Sequence, residues 1–215
     1  MKTFYITAAL AFFGMASAQQ TIKVEEFKNL AVVGDVVLTL VESNESKLVV
    51  DGNEEDNEIE VHQEAGNLVI TGDGKATLYY KKGFQRLAAS SDAAVTGKDE
   101  LKVKELSISV HQDAHVELNV NVTALLTAAS GDAVVTLTGS AVDHSIRVDS
   151  DAVLDAEKLK TTNTIVTAVN DAVANITASG VVNATADADA VIAIHGSPET
   201  INETATNDAV IKRSK

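Results

Sequence analysis

The chain has no cysteine and no tryptophan, a single proline, and no aromatic residue after Phe84. The lack of cysteine excludes disulfides, thiolate metal ligands, a cysteine nucleophile and a thiol for lipid attachment. Residues 85–215 offer no aromatic ring on which a sugar could stack. Basic residues are as scarce: from 105 to 211 there are only Arg147, Lys158 and Lys160. With a formal charge of -14, such a surface repels nucleic acid, anionic lipid and anionic glycans. No Gly-x-Ser-x-Gly elbow is present and the histidines are scattered, so a nucleophilic triad has no support.

Long apolar runs are also missing outside the first residues. Lys2, the apolar stretch Ile6 to Met15 and Ala16-Ser17-Ala18 before Gln19 have the order of a secretory signal peptide. The stretch is too short to cross a bilayer, so no transmembrane segment is expected. Residues 1–18 are therefore read as a leader, and the rest as an exported chain in the periplasm or at the cell surface. Export without disulfides favours a bacterial source. Five Asn-x-Ser/Thr triplets, at Asn44, Asn121, Asn175, Asn183 and Asn202, are expected by chance in a chain this rich in Asn and Thr.

What the chain does have is a repeat. An Asp-Ala pair recurs with a regular period at Asp92, Asp113, Asp132, Asp151, Asp171, Asp189 and Asp208, in steps of 21, 19, 19, 20, 18 and 19 residues. A short motif at this period marks a solenoid whose coils bury their apolar face only by stacking. The residue after each Asp is Ala. The positions three and five further on are mostly branched and apolar, as in Val116 and Leu118 or Val135 and Leu137. The same parity runs before the Asp, in Ile108 and Val110 or Ile146 and Val148. That alternation predicts one strand before and one after each Asp corner, with Ala turned inward. The varying step excludes the strict six-residue subrepeat of a left-handed β-helix. Coils roughly 4.8 Å apart give a repeat region on the order of 29 Å long.

Residues 19–215 read as one domain, with 19–86 as opening coils and cap and 87–215 as repeat coils. Val36 to Leu40, Leu48 to Val50, Ile59 to Val61, Leu68 to Ile70 and Ala76 to Tyr80 are short strand candidates. Lys212, Arg213 and Lys215 would discourage another strand from joining the last coil.

The chain resembles the bacterial secreted GIN domain, described as an autotransporter adhesin head. The resemblance rests on Phe27-Lys28-Asn29-Leu30, Gly34-Asp35-Val36, Asn67-Leu68-Val69-Ile70, the Leu78 to Lys82 strand, the repeated Asp-Ala-Val turns and Ile194-His195-Gly196-Ser197-Pro198. Family turns usually read Ser-Gly-Ala-Ser; here Asp takes the Gly place, as in Ser150-Asp151-Ala152-Val153. The resemblance implies an all-β fold, a right-handed single-stranded parallel β-helix of about 19–20 residues per coil, and export. It carries over no catalytic, cofactor or metal residues, and no cofactor is expected.

Three columns remain as candidates. Seven stacked carboxylates from Asp92 to Asp208 could hold calcium, or each could serve its own turn and face water; the second reading is preferred because the Gly-Gly-x-Gly-x-Asp calcium repeat is missing. Two positions after the Asp, Val134, Val153, Val173, Val191 and Val210 either form an outward apolar ribbon suited to a homodimer or another protein partner, or turn inward where parity breaks at the corner; the sequence weighs the two equally. His111, Asp113 and His115 share one parity, yet a solvated strand face explains them better than a metal. The resulting expectation is a non-enzymatic, adhesin-like scaffold or binding module. A glycan-processing enzyme of β-helix type is the rival, since fold alone does not fix function.

Overall fold

The computed structural model describes residues 20–52 and 58–214; the candidate leader and Lys215 lie outside the described residues. All regular structure described is β-strand, and fifteen strands form one continuous sheet. No described helix is long and apolar enough to cross a membrane, which says nothing about crossing by strands.

In chain order the strands are β1 (Gln20–Lys23), β2 (Asn29–Glu42), β3 (Lys47–Asp51), β4 (Glu60–Glu64), β5 (Asn67–Tyr80), β6 (Arg86–Ser90), β7 (Ala94–His111), β8 (His115–Ser130), β9 (Val134–Asp149), β10 (Val153–Val169), β11 (Val173–Ala178), β12 (Val181–Asp187), β13 (Val191–Gly196), β14 (Thr200–Ala205) and β15 (Val210–Arg213). From β6 onward every pairing is parallel, one coil against the next. The chain is thus a parallel β-helix, as the repeat predicts.

The Asp corner is built as expected. Ala93, Ala114, Ala133, Ala152, Ala172 and Ala190 are fully buried. Their carbonyls form a spine, accepting from the next coil's N–H at His115, Val134, Val153, Val173, Val191 and Val210 over 2.8–3.0 Å. A small side chain in every coil keeps this fully buried corner free of the strain that added methylenes bring to a close-packed core. The uneven repeat length has a local cause. Between Thr96 and Glu100, β7 passes four residues where β8 passes two, Glu117 to Asn119. From Asp155 to Leu159, β10 likewise passes four where β9 passes three. Extra residues are absorbed there as bulges, so the rest of each ladder stays in register.

The opening differs from a simple run of coils. β5 pairs with β2 along its whole length, but on the side away from β6 and β7. The second coil in sequence is therefore the outer one in space. The intervening segment explains the reversal: β3 and β4 run antiparallel to β5, and β1 antiparallel to β3. They cover the edge that β5 would otherwise leave unpaired. Rings gather at the same end, with Phe84 stacked on Phe27 at 5.9 Å and edge-on to Tyr80 at 5.8 Å.

The register also extends the acidic corner. Val33 opposes Ser90 and Val37 opposes Ala94, so Asp35 stands opposite Asp92; Asp73 in turn opposes Asp35. Gly34 and Gly72 precede these two Asp residues at φ +100° and +114°, and a Cβ on Gly34 would lie 2.3 Å from the Gly72 carbonyl oxygen. The first two coils thus use the same corner without its Asp-Ala signature.

Candidate functional site

Alternation along each coil breaks once more before the next Asp corner. Thr123 and Ala124 are both exposed, as are Val142 and Asp143, while Thr162 and Asn163 also stand on the outer side. Two successive outward residues turn the chain, and the parity after this second corner is reset. Leu125, His144 and Thr164 then point inward, and Leu126, Ser145 and Ile165 outward.

The reset places large aliphatic side chains in water. Ile165, Leu126 and Val142 are 56%, 49% and 45% exposed, the highest values among the described exposed large apolar residues, and they lie on three adjacent coils at one corner. A groove of about 540 Å³ runs across it, lined by Arg86, Glu105, Leu126, Asp143, Asn163 and Ile165. Its volume is in the range of small-ligand and short-segment sites.

Two outward columns make the groove. Glu105, Ala124, Asp143 and Asn163 stack along one; Arg86, Ser107, Leu126, Ser145 and Ile165 along the other. Asn163 Nδ2 donates to Asp143 Oδ1 over 2.9 Å. Among the described residues, neither Arg86 nor Glu105 nor Asp143 forms an ion pair within 4 Å. The small side chain of Ala124 leaves a recess with a carboxylate one coil above and one coil below.

Behind this corner lies a buried polar patch, with Thr127, His144, Thr161 and Thr164 inside the core. His144 Nε2 is 2.9 Å from Thr127 Oγ1, and its Nδ1 has no partner. Burial pushes the His144 pKa down to about 3, so the ring is neutral. A bare acceptor costs less to bury than a bare N–H, which assigns the proton to Nε2, donating to Thr127. Thr161 Oγ1 donates to the Thr177 carbonyl over 2.8 Å and meets Thr164 Oγ1 at 2.7 Å. The Thr127–His144 and Thr161–Thr177 bonds tie adjacent coils together inside the stack, and the Thr161–Thr164 contact closes the turn within one coil.

The candidates read from the sequence fare differently. All seven Asp residues from Asp92 to Asp208 are exposed, and among the described residues no three His, Asp or Glu side chains gather where a metal could sit. Backbone geometry gives this corner another logic. Ser91, Gln112, Gly131 and Ser150 take positive φ just before their Asp, and Asn170-Asp171, Ala188-Asp189 and Asn207-Asp208 take it at both residues. Asn and Asp tolerate that region better than other side chains. The valine ribbon is on the outer face, as parity predicts, but Val134, Val153, Val173 and Val191 are half-buried by their stacked neighbours and only Val210 is well exposed. His111 bonds Ser130 Oγ through Nδ1 at 2.7 Å and Ser109 Oγ through Nε2 at 2.8 Å, two serines rather than Asp113 or His115. The second corner was missed in the sequence. Its signal is the adjacent apolar pair Leu125-Leu126, of which a strand can bury only one.

Residues 26–198 match the family described as "Putative auto-transporter adhesin, head GIN domain". The chain belongs to this family. Among solved structures, a similar fold occurs in a protein described as a putative adhesin from Bacteroides fragilis, 15% identical with a TM-score of 0.82, covering 92% of this chain and 96% of that one. A protein described as a putative lipid binding protein from Parabacteroides distasonis is 14% identical with a TM-score of 0.69, over the same shares of both chains. A third, described as a putative adhesin from Parabacteroides merdae, is 16% identical with a TM-score of 0.66, again over 92% and 96%. At such identities the likeness concerns the fold. Comparison with curated proteins gives no match.

Proposed function

We propose that this GIN-domain protein is an exported, non-enzymatic binding module of adhesin type, and that it engages its partner through the groove at the second corner. Family membership supports the adhesin-like surface role. The observation that carries the choice of site is the pair Leu126 and Ile165, the two most exposed of the large apolar residues, lining a groove whose Arg86, Glu105 and Asp143 join no ion pair among the described residues. Contact surfaces combine apolar anchors with a polar rim in this way. The valine ribbon has less free apolar surface to offer, and a homodimer through it is the weaker arrangement.

The test uses cells displaying the chain and the purified chain on a panel of epithelial, matrix and bacterial surfaces. Leu126→Ser with Ile165→Ser should lower adhesion about tenfold, the loss expected of a contact anchor, without lowering the melting temperature. Undiminished adhesion by this variant would rule out the groove. Failure of external protease to reach the chain on intact cells would rule out the surface role.

One observation favours a second reading. Glu105 and Asp143 are two coils apart, roughly 9.6 Å by the coil spacing, close to the separation used by inverting glycosidases. Such enzymes act with acid and base on opposite faces of the sugar ring, whereas these two rise from one column. Turnover of any polysaccharide by the wild-type chain that is lost in Glu105→Gln would establish the enzyme.

A further inference from the structure

We infer that the groove takes an extended polypeptide segment carrying a basic side chain two residues from an aliphatic one. This rests on the groove being the binding site, and deepens that reading by naming what binds. Ala124 and Leu126 are both outward residues of β8, two positions apart, so the recess and the apolar wall are separated by roughly 6–7 Å along the strand. That is also the separation between residues i and i+2 on one face of an extended segment. A lysine or arginine over Ala124 lies between Glu105 and Asp143, each one coil away. The aliphatic neighbour then packs on Leu126 or Ile165, the two most exposed apolar side chains of the groove.

Charge decides against other occupants. A second copy of a chain with formal charge -14 meets like charge at long range, and so does an anionic lipid surface. Arg86, two coils from Leu126 in the same column and in no ion pair among the described residues, repels a basic group at that end of the groove. The one register left for the partner's cation is the Ala124 recess.

The probe is the peptide acetyl-Leu-Ser-Lys-Ser-Leu-amide, titrated into the purified full chain by calorimetry and amide-shift mapping. It should bind about tenfold tighter than the same peptide with Glu for Lys, or with Ser for both Leu. Glu105→Gln with Asp143→Asn should weaken binding about tenfold, whereas Asp151→Asn with Asp171→Asn, which removes the same charge from the far corner, should leave it unchanged. Equal affinity for the Lys and Glu peptides would overturn the inference. Equal losses in the two charge-matched variants would also overturn it, since only general attraction would then be at work. Titration of the groove amides by phosphatidylcholine or phosphatidylglycerol vesicles in place of the peptide would assign the site to lipid instead. If Leu126→Ser with Ile165→Ser abolishes adhesion while the peptide does not bind, this chemistry fails and the groove remains the binding site.

Discussion

His144 occupies a column in which Leu106 and Leu125 precede it and Thr164 and Val182 follow. Its ring is neutral when folded, with a pKa of about 3 against an ordinary 6.5, while in the unfolded chain it is free to protonate. Below pH 6.5 the unfolded state therefore binds the extra proton. The stability that His144 contributes is fully present above that pH and is lost as pH falls toward 3, with a slope of about 1.4 kcal/mol per pH unit. Asp149, held low mainly by the Asn170 amide, and Asp187, held low mainly by the Thr206 hydroxyl, add acid sensitivity of the same sign in the carboxylate range. The two effects separate in the double variant His144→Leu with Thr127→Val, which continues the leucine column and leaves no orphan hydroxyl. Urea midpoints of this variant should be nearly flat from pH 6.5 to 4.5, where those of the wild type decline. Parallel profiles would show that burial of the imidazole is not what makes the fold acid-sensitive.

At the scale of one coil, the Asp corner is a device for reversing the chain at low steric cost. The Ala carbonyl spine fixes the backbone, and the preceding residue with positive φ makes the turn. The carboxylates repeat at roughly the 4.8 Å coil spacing and face water. Sodium and calcium salts at matched ionic strength should then raise the melting temperature equally, by screening alone. Asp151→Asn should keep the turn and shift the melting temperature by no more than about 2 °C, upward if at all. A rise specific to calcium that Asp151→Asn weakens would instead show an ion shared between coils. Much of this element was legible in the sequence, because a strand with one buried face writes period two into its residues. The second corner was not, because two outward residues in succession look like ordinary surface until the next coil shows which of Leu125 and Leu126 is covered.

Across the whole molecule, the two ends of the stack are closed by different means. β1, β3 and β4 cover the opening edge, whereas among the described residues no strand pairs with the outer edge of β14 and β15. In that last coil two core columns turn polar: Glu203 follows Ala184 and Arg213 follows Ile194. Arg213 Nη2 lies 3.1 Å from Glu203 Oε2, so the apolar interior is finished with an inward charge pair beside the partly buried Ile201 and Ile211. Inward charges of this kind keep another chain from continuing a sheet. Exposed pairs add little to stability, so Glu203→Leu with Arg213→Leu should fold and then associate end to end. Light scattering behind a sizing column should show dimers or larger species where the wild type shows none. A variant that stays as monodisperse as the wild type would remove the plug from this account.

By itself the sequence determined the solenoid, its coil length, the inward alanine column and the acidic corner, because each is set by a periodicity that every coil must share to stack. Arg213 was legible as the end of a core column, since it stands five residues after Asp208, where Leu118 and Leu137 follow their own Asp. Only the tertiary structure decided that residues 67–80 lie outside residues 29–42, since the order of coils depends on where β3 and β4 find an edge to pair. Tertiary structure alone joined Asp35 and Asp73 to the acidic corner, through registers that no local signature records. It also gathered Arg86, Glu105, Leu126, Asp143 and Ile165 into one groove. Those residues come from five successive coils, and only the stacking register turns positions about twenty apart in the chain into neighbours roughly 5 Å apart.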